Sequence, residues 1–401
     1  FFFPPPPAPP APLWSRGLGD VYKRQGKGLS EKLVQDYETA VKRRKVILDT
    51  RPDEIAKTLV IKEIGPQARE TFVLIRGNAN AESDKVEPNF PSVLSPPKPV
   101  INPSPHGKSS GRRTALAEWI ASPDNPLTAR VMANRLWQHH FGVGIVETSN
   151  NFGAGGLDPT NPELLDYLAT EFMEGGWKIK RMHKLIMLSS TYRLSSSTTE
   201  SGVEKDPANR LVWRFNPRRL SSEEVRDSIL AANGSLNLKM GGPSFYPIIP
   251  REVLQGQSRP GAGWGNSPEE ERARRAVYIF VKRSLVEPLM ADFDFADVDS
   301  SCPVRFTTTQ PTQSLQLLNS EFANRQAGKF SQFLKQHAPD DLSEQIRLAL
   351  TQTTQRNPSA EDIQRGQTLI ADLKKIGVSD DDALKYFCLV TYNLNEFLYI
   401  D

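Results

Sequence analysis

The spacing of apolar positions divides most of the chain into helices. From Ser30, Leu33, Val34, Tyr37, Ala40 and Val41 recur with helical periodicity, which predicts an amphipathic helix over residues 30–48. A shorter helix is expected from Asp53 to Ile64. Thr71-Phe72-Val73-Leu74-Ile75 is a β-rich run stopped by Gly77 and reads as a strand. Residues 86–112 are rich in proline, with glycine and serine among them, and read as a linker or as an extended segment lying on another domain. Beyond it Thr114 to Ala121 makes a short helix. Asn125-Pro126 supplies a cap followed by proline at the first helical position, and Gly142 a stop, so a helix is expected over 126–141. The same device recurs at Asn161-Pro162, with the stop at Gly175-Gly176. Ile179, Met182, Leu185 and Ile186 mark another helix, and Ser221 with Glu224 forms a capping box for one that stops near Gly234. Residues 241–268 read as a long loop, Ala276–Val281 as a short buried strand, and the chain from Pro311 as helical almost to its end, with turns near Asp340, Pro358 and Ser379.

The fold class that follows is mainly α: a multi-helical domain over 113–401 with a few short β-strands, preceded by a small α/β remnant over 26–85 and the proline-rich linker. The first 25 residues stand apart. They open on Phe1, run through a proline tract, and continue as Gly17-Leu18-Gly19-Asp20-Val21-Tyr22-Lys23-Arg24-Gln25, which is similar to translated adapter sequence at truncated ends of metagenomic reading frames. They are read as a non-native leader, with any signal peptide lost upstream.

Composition narrows the function classes. The chain has 401 residues, 50 Lys and Arg against 47 Asp and Glu, and a net charge of +3, so no global field steers nucleic acid or lipid toward it. Local basic clusters at Lys42–Lys45, Lys178–Lys184, Arg210–Arg219 and Arg272–Arg275 read as solvated faces. No apolar run is long enough for a membrane span. Trp137, Trp177 and Trp213 fall at core-like positions, against a nucleic-acid stacking platform. Cys302 and Cys388, the only cysteines, are read either as a pair or as two separate buried thiols; neither belongs to a CxxCH haem motif or to a zinc spacing.

Candidate chemistry is sparse. Gly142-Val143-Gly144 follows a helix and lacks a third glycine, so it reads as a helix stop rather than a phosphate loop. Asp292, Asp294, Asp297 and Asp299 crowd carboxylates into one stretch, but the calcium-loop pattern fails at Asp297 and Pro303, and a solvated acidic turn with Phe293 and Phe295 tucked inward is the expectation. His139, His140 and His183 have no second histidine four residues away. Arg130, Asn134, Arg135 and Gln138 form a polar stripe opposite Leu127 and Val131, fitted either to grip a carboxylate, amide or sugar hydroxyl or to fix helix against helix. Arg218-Arg219 stand ready to hold an anion at the following helix N-terminus, or to pair with Glu223 or Asp227. The candidate binding set is therefore Arg130, Asn134, Arg135, His139, Arg193 and Arg219, with Glu147, Asp206 and Glu223 the carboxylates to test for acid–base work.

The stretch Asn125-Pro126-Leu127-Thr128-Ala129-Arg130-Val131-Met132-Ala133-Asn134-Arg135-Leu136-Trp137-Gln138-His139-His140-Phe141-Gly142-Val143-Gly144-Ile145-Val146 resembles the bacterial family called domain of unknown function 1553. So do Pro162–Asp166, Ser190–Arg193, Asp206–Arg210, Pro217–Leu220, Arg226-Asp227, Arg275–Tyr278, Phe293-Asp294, Gln313–Asn319 and Asn395–Tyr399, and the resemblance spans 112–400. It implies an exported planctomycete-type protein, periplasmic or at the cell surface, in which this module follows a related domain of unknown function 1549 and often a cytochrome c domain. Segment 26–105 resembles the connection between those domains. Haem c is then expected only in the missing N-terminal part of the parent, and the preceding domain is the expected partner, with polysaccharide a further candidate. The resemblance transfers no catalytic residues. The first functional expectation is a binding or scaffold module; an enzyme domain acting on carbohydrate through carboxylates, and a purely structural cell-envelope part, are the alternatives.

Overall fold

The computed structural model describes residues 30–49, 59–63, 65–104, 106–257 and 259–401. Two units are distinguished by their contacts, one running to Arg69 and taking in Pro103–Ser110, the other comprising Glu70–Asn102 and Gly111–Asp401. The first contains α1 (Glu31–Asp49), as expected, and an anchor in which the Ser110 amide donates to the Glu63 carboxylate at 2.6 Å. The helix expected over 53–64 lies largely outside the described residues; Leu59–Glu63 are irregular.

The second unit opens on a hairpin of β1 (Thr71–Leu74) and β2 (Glu82–Val86). The first strand was legible; the second, Glu-Ser-Asp-Lys-Val, has no apolar face to betray it. Helices follow: α2 (Arg112–Ile120), α3 (Thr128–Phe141), α4 (Pro162–Glu174), α5 (Ile179–Met187) and α6 (Glu200–Lys205). Helix α3 starts at Thr128 rather than Pro126, because Asn125 Oδ1 takes the Leu127 and Thr128 amides and holds the two residues before the helix in a turn. Helix α4 is capped by Asn161 as its sequence implies. Ala129, Ala133, Leu136 and Trp137 of α3 pack with Leu165, Leu168 and Phe172 of α4 and Met182 and Ile186 of α5 into one core.

A second core gathers α7 (Ser222–Ala232), then α10 (Pro288–Asp292) through α16 (Asn395–Leu398): α11 (Pro311–Asn319), α12 (Glu321–His337), α13 (Leu342–Thr354), α14 (Ala360–Lys375) and α15 (Asp380–Thr391). Between them lie α8 (Arg251–Gln255) and α9 (Glu269–Arg272). Strand β3 (Arg218–Arg219) pairs antiparallel with β4 (Tyr399–Ile400), so the chain's last residues close against the entry to α7. The fold is mainly α, with these few short strands among the described residues.

The strand expected at Ala276–Val281 is instead a 3-10 turn, Ala276–Tyr278, followed by a single bridge of Ile279 to Phe245. Asp227 takes the Ala276 amide at 2.6 Å and turns the backbone, while Val277 faces solvent, so the apolar run is only partly inward. The capping box of α7 is present: Ser221 Oγ accepts the Glu224 amide and the Glu224 carboxylate accepts the Ser221 amide at 2.7 Å. Ser221→Ala should lower stability by about 1 kcal/mol; urea denaturation followed by circular dichroism reads it, and an unchanged midpoint would show the cap to be redundant.

Candidate functional site

A cleft of about 400 Å³ opens where α7, α8, α10 and α12 meet. At its inner wall Arg226 is buried, its guanidinium donating to the Arg274 carbonyl at 3.0 Å and the Arg272 carbonyl at 2.5 Å. The aromatic rings of Phe245 and Phe322 lie 5.0 and 5.3 Å from that guanidinium. Burial draws its pKa below the ordinary arginine value, against the attraction of Glu287 and Asp227. Two carbonyls and two rings hold this cation; of the carboxylates that attract it, Glu287 acts more strongly than Asp227, which stands 3.9 Å away.

Glu287 is the other unusual group. It caps α10, Oε2 accepting the Met290 amide at 2.9 Å, and it lines the same cleft. Burial pushes its carboxyl up to about 6, although the Met290 amide and Arg226 pull the other way. Around the mouth Lys329 pairs with Glu269, and Arg325 stands 3.4 Å from Glu321. Gln316, Asn319 and Glu252 add donors and acceptors, and Pro247, Ile248 and Val253 an apolar side. The cleft thus presents both hydrogen-bonding senses and one carboxyl whose charge changes near pH 6.

The residues singled out from sequence lie elsewhere. Arg130 binds Asp166 at 2.6 Å and the Pro126 carbonyl at 2.7 Å, and its bond to Asp166 holds that carboxyl below its usual range. Asn134 is fully buried, accepting the Val146 amide at 2.8 Å and donating to the Val146 carbonyl at 3.0 Å and Ser149 Oγ at 3.2 Å. The expected polar stripe is therefore not a single surface: Asn134 points into the core while Leu127 is exposed. Arg135 is half-buried, and Arg193 is exposed at the end of a 3-10 turn. Desolvation of the ring, then the charges of Arg135 and Arg218, hold His139 below its ordinary value. His140 meets His183 at 2.8 Å across α3 and α5, a pairing that sequence spacing along one helix could not reveal.

Arg218 and Arg219 take partners other than Glu223 and Asp227. Successive strand residues face opposite ways, so Arg218 forks onto Glu224 at 3.0 and 3.1 Å while Arg219 turns inward to Asp294 at 2.7 Å and the Thr308 carbonyl at 2.8 Å. Glu223 is held by Arg305 at 2.6 and 2.9 Å. Asp206 accepts the Arg210 and Leu211 amides, and Glu147 stands 3.7 Å from Arg210. None of these three carboxylates lines the Arg226 cleft. In the acidic stretch Phe293 is buried and Asp294 is tied to Arg219 and Thr308; among the described residues no three His, Cys, Asp or Glu side chains gather as a metal site. Cys302 and Cys388 are separate free thiols, and burial raises that of Cys388.

Sequence reasoning missed Glu287 and Arg325. The signal for the first was Glu287-Pro288, the same cap-then-proline device as Asn161-Pro162. Nothing local discloses that Arg226, sixty-one positions earlier, faces it.

Residues 112–370 match the family PSD1, described as "Protein of unknown function (DUF1553)". No curated protein and no solved structure matches the chain.

Proposed function

We propose that this chain, which belongs to the DUF1553 family of proteins of unknown function, is a binding module that holds a hydroxyl-rich polymer, a polysaccharide by chemistry, in the Arg226 cleft. The observation that carries the reading is the lining of that cleft, where Arg325, Lys329, Gln316 and Asn319 offer donors beside the acceptors Glu252, Glu269 and Glu287 and an apolar side. Hydroxyls both donate and accept, and a ring's C–H face suits Pro247 and Phe322. In this reading the parent polypeptide is exported to the periplasm or cell surface, the preceding domain is the module's neighbour, and haem c is carried outside this chain, which has no CxxCH sequence. Among the described residues no helix is long and apolar enough to cross a membrane. A glycan array probed with the chain, followed by calorimetry on a retained glycan, tests the assignment. Arg325→Ala with Lys329→Ala should weaken binding about tenfold or more; an array that retains nothing, or an affinity the two changes leave untouched, ends it.

A second reading, an acid–base enzyme acting on carbohydrate, is favoured by Glu287. A carboxyl raised to about 6 is still largely protonated in mildly acidic solution and can give a proton to a leaving oxygen, with Glu252 or Glu269 as the companion base. The sign is definite: turnover should fall as pH rises through about 6, and Glu287→Gln, which keeps an oxygen for the Met290 amide, should abolish it. Release of reducing sugar measured from pH 4 to 8 decides the matter; turnover retained in Glu287→Gln removes Glu287 from the chemistry.

A further inference from the structure

A separate cleft of about 300 Å³ lies over the first helical core, floored by Trp137, Phe141 and Leu164 and walled by two loops. The loop after α3 is pinned by Asn134, whose amide takes both the N–H and the carbonyl of Val146. Gly144 is required there, because a Cβ would sit 2.6 Å from the Val146 carbonyl oxygen and 2.7 Å from Asn134 Nδ2. The facing loop, 206–216, is fixed more strongly still. Asn209 is buried and bonds the Arg214 carbonyl, Asn216 Oδ1 and the Trp213 amide, while Trp213 Nε1 donates to the Asp206 carbonyl at 2.9 Å.

This loop holds Val212 at φ 53°. A β-branched side chain rarely adopts that left-handed conformation, and such strain survives only where the surroundings over-determine it, most often around ligand sites. Val212 and Asn209 both line the cleft. At its mouth Glu147 Oε1 and Arg210 Nε stand 3.7 Å apart, with side chains 40% and 55% exposed. That separation is too long for a hydrogen bond. An acceptor-only carboxylate and a donor-only guanidinium therefore face one opening with capacity in reserve, beside an apolar floor.

The geometry points to a second ligand site, in which neighbouring hydroxyls of a sugar ring bridge Glu147 and Arg210, one donating to the carboxylate and the other accepting from the guanidinium. The ligand class rests on the polysaccharide reading above; the site itself does not. A polymer long enough to reach both clefts would gain from engaging them together.

Isothermal titration of the whole chain with cellohexaose, xylohexaose and mannohexaose tests the site. At least one should bind, and Arg210→Met and Glu147→Gln should each weaken the association about tenfold while leaving the melting temperature in place, since both side chains are half-exposed. In a chain that carries Arg325→Ala with Lys329→Ala, which removes the first cleft's contribution, the association that remains should still be weakened by Arg210→Met and by Glu147→Gln, so failure of the first cleft is told apart from failure of the second. Lack of binding by all three hexasaccharides, or binding indifferent to both Arg210→Met and Glu147→Gln, overturns the proposal.

Discussion

Arg219→Met is expected to destabilise the second unit by about 3–5 kcal/mol, the cost typical of breaking a buried ion pair from one side. The Arg219 side chain is nearly inaccessible, and its guanidinium serves Asp294 at 2.7 Å and the Thr308 carbonyl at 2.8 Å. Methionine fills comparable space but leaves the Asp294 carboxylate without its cation in a site that is 17% exposed. The pH dependence checks the assignment. Burial opposes the charge of Asp294, yet the Thr308 amide and hydroxyl, with Arg219, outweigh it and hold the carboxyl below its usual value. A depressed carboxyl contributes stability above its unfolded pKa and loses it as pH falls through the folded one. The wild-type chain should therefore lose this stabilisation in acid below about pH 4, and Arg219→Met should flatten that limb. Urea unfolding at pH 7 and pH 3 measures both; a loss under 1 kcal/mol at neutral pH would mean that Asp294 is satisfied without Arg219.

The second large effect is expected at Asn134→Leu. Leucine suits the volume and the helix, but it strands the N–H of the buried Val146 and leaves the Val146 carbonyl with only the Ser149 hydroxyl, at 3.3 Å, as a donor. The stranded N–H costs about 1–3 kcal/mol and the carbonyl's lost bond about 1 kcal/mol more, so roughly 2–4 kcal/mol should disappear. Asn134→Asp separates the two bonds: it can still accept from the Val146 amide but sets a carboxylate against the carbonyl oxygen. It should also destabilise, and increasingly as pH rises and the carboxyl ionises. Thermal melting from pH 4 to 8 distinguishes the variants; if Asn134→Leu melts with the wild type, the loop does not depend on the amide.

These two positions mark where sequence stopped being informative. Caps and stops are written in adjacent residues, so Asn161-Pro162, Ser221 with Glu224, and Gly175-Gly176 disclosed the ends of α4 and α7. A polar residue's direction is not written locally. Asn134 and Arg130 share one helix, yet the first is sealed in the core and the second binds Asp166 near the surface. The alternation that makes Arg218 and Arg219 face opposite ways requires knowing that they form a strand, and their partner strand lies at the far end of the chain. The Arg226 cleft was illegible for the same reason: α7, α10 and α12 each supply part of it. The family resemblance, read over 112–400, was right about the family, whose model matches residues 112–370.

The pairing of β3 with β4 has a consequence for how the chain is made. Arg219 emerges from the ribosome long before Tyr399, and the Leu220 amide waits for the Leu398 carbonyl, which it meets at 2.8 Å. The α3–α5 lobe draws its contacts from neighbouring sequence and can condense early, whereas the lobe seeded by α7 closes a loop spanning nearly half of the polypeptide. Nascent chains arrested ahead of α16 should therefore carry a finished first lobe and an open, protease-sensitive second one.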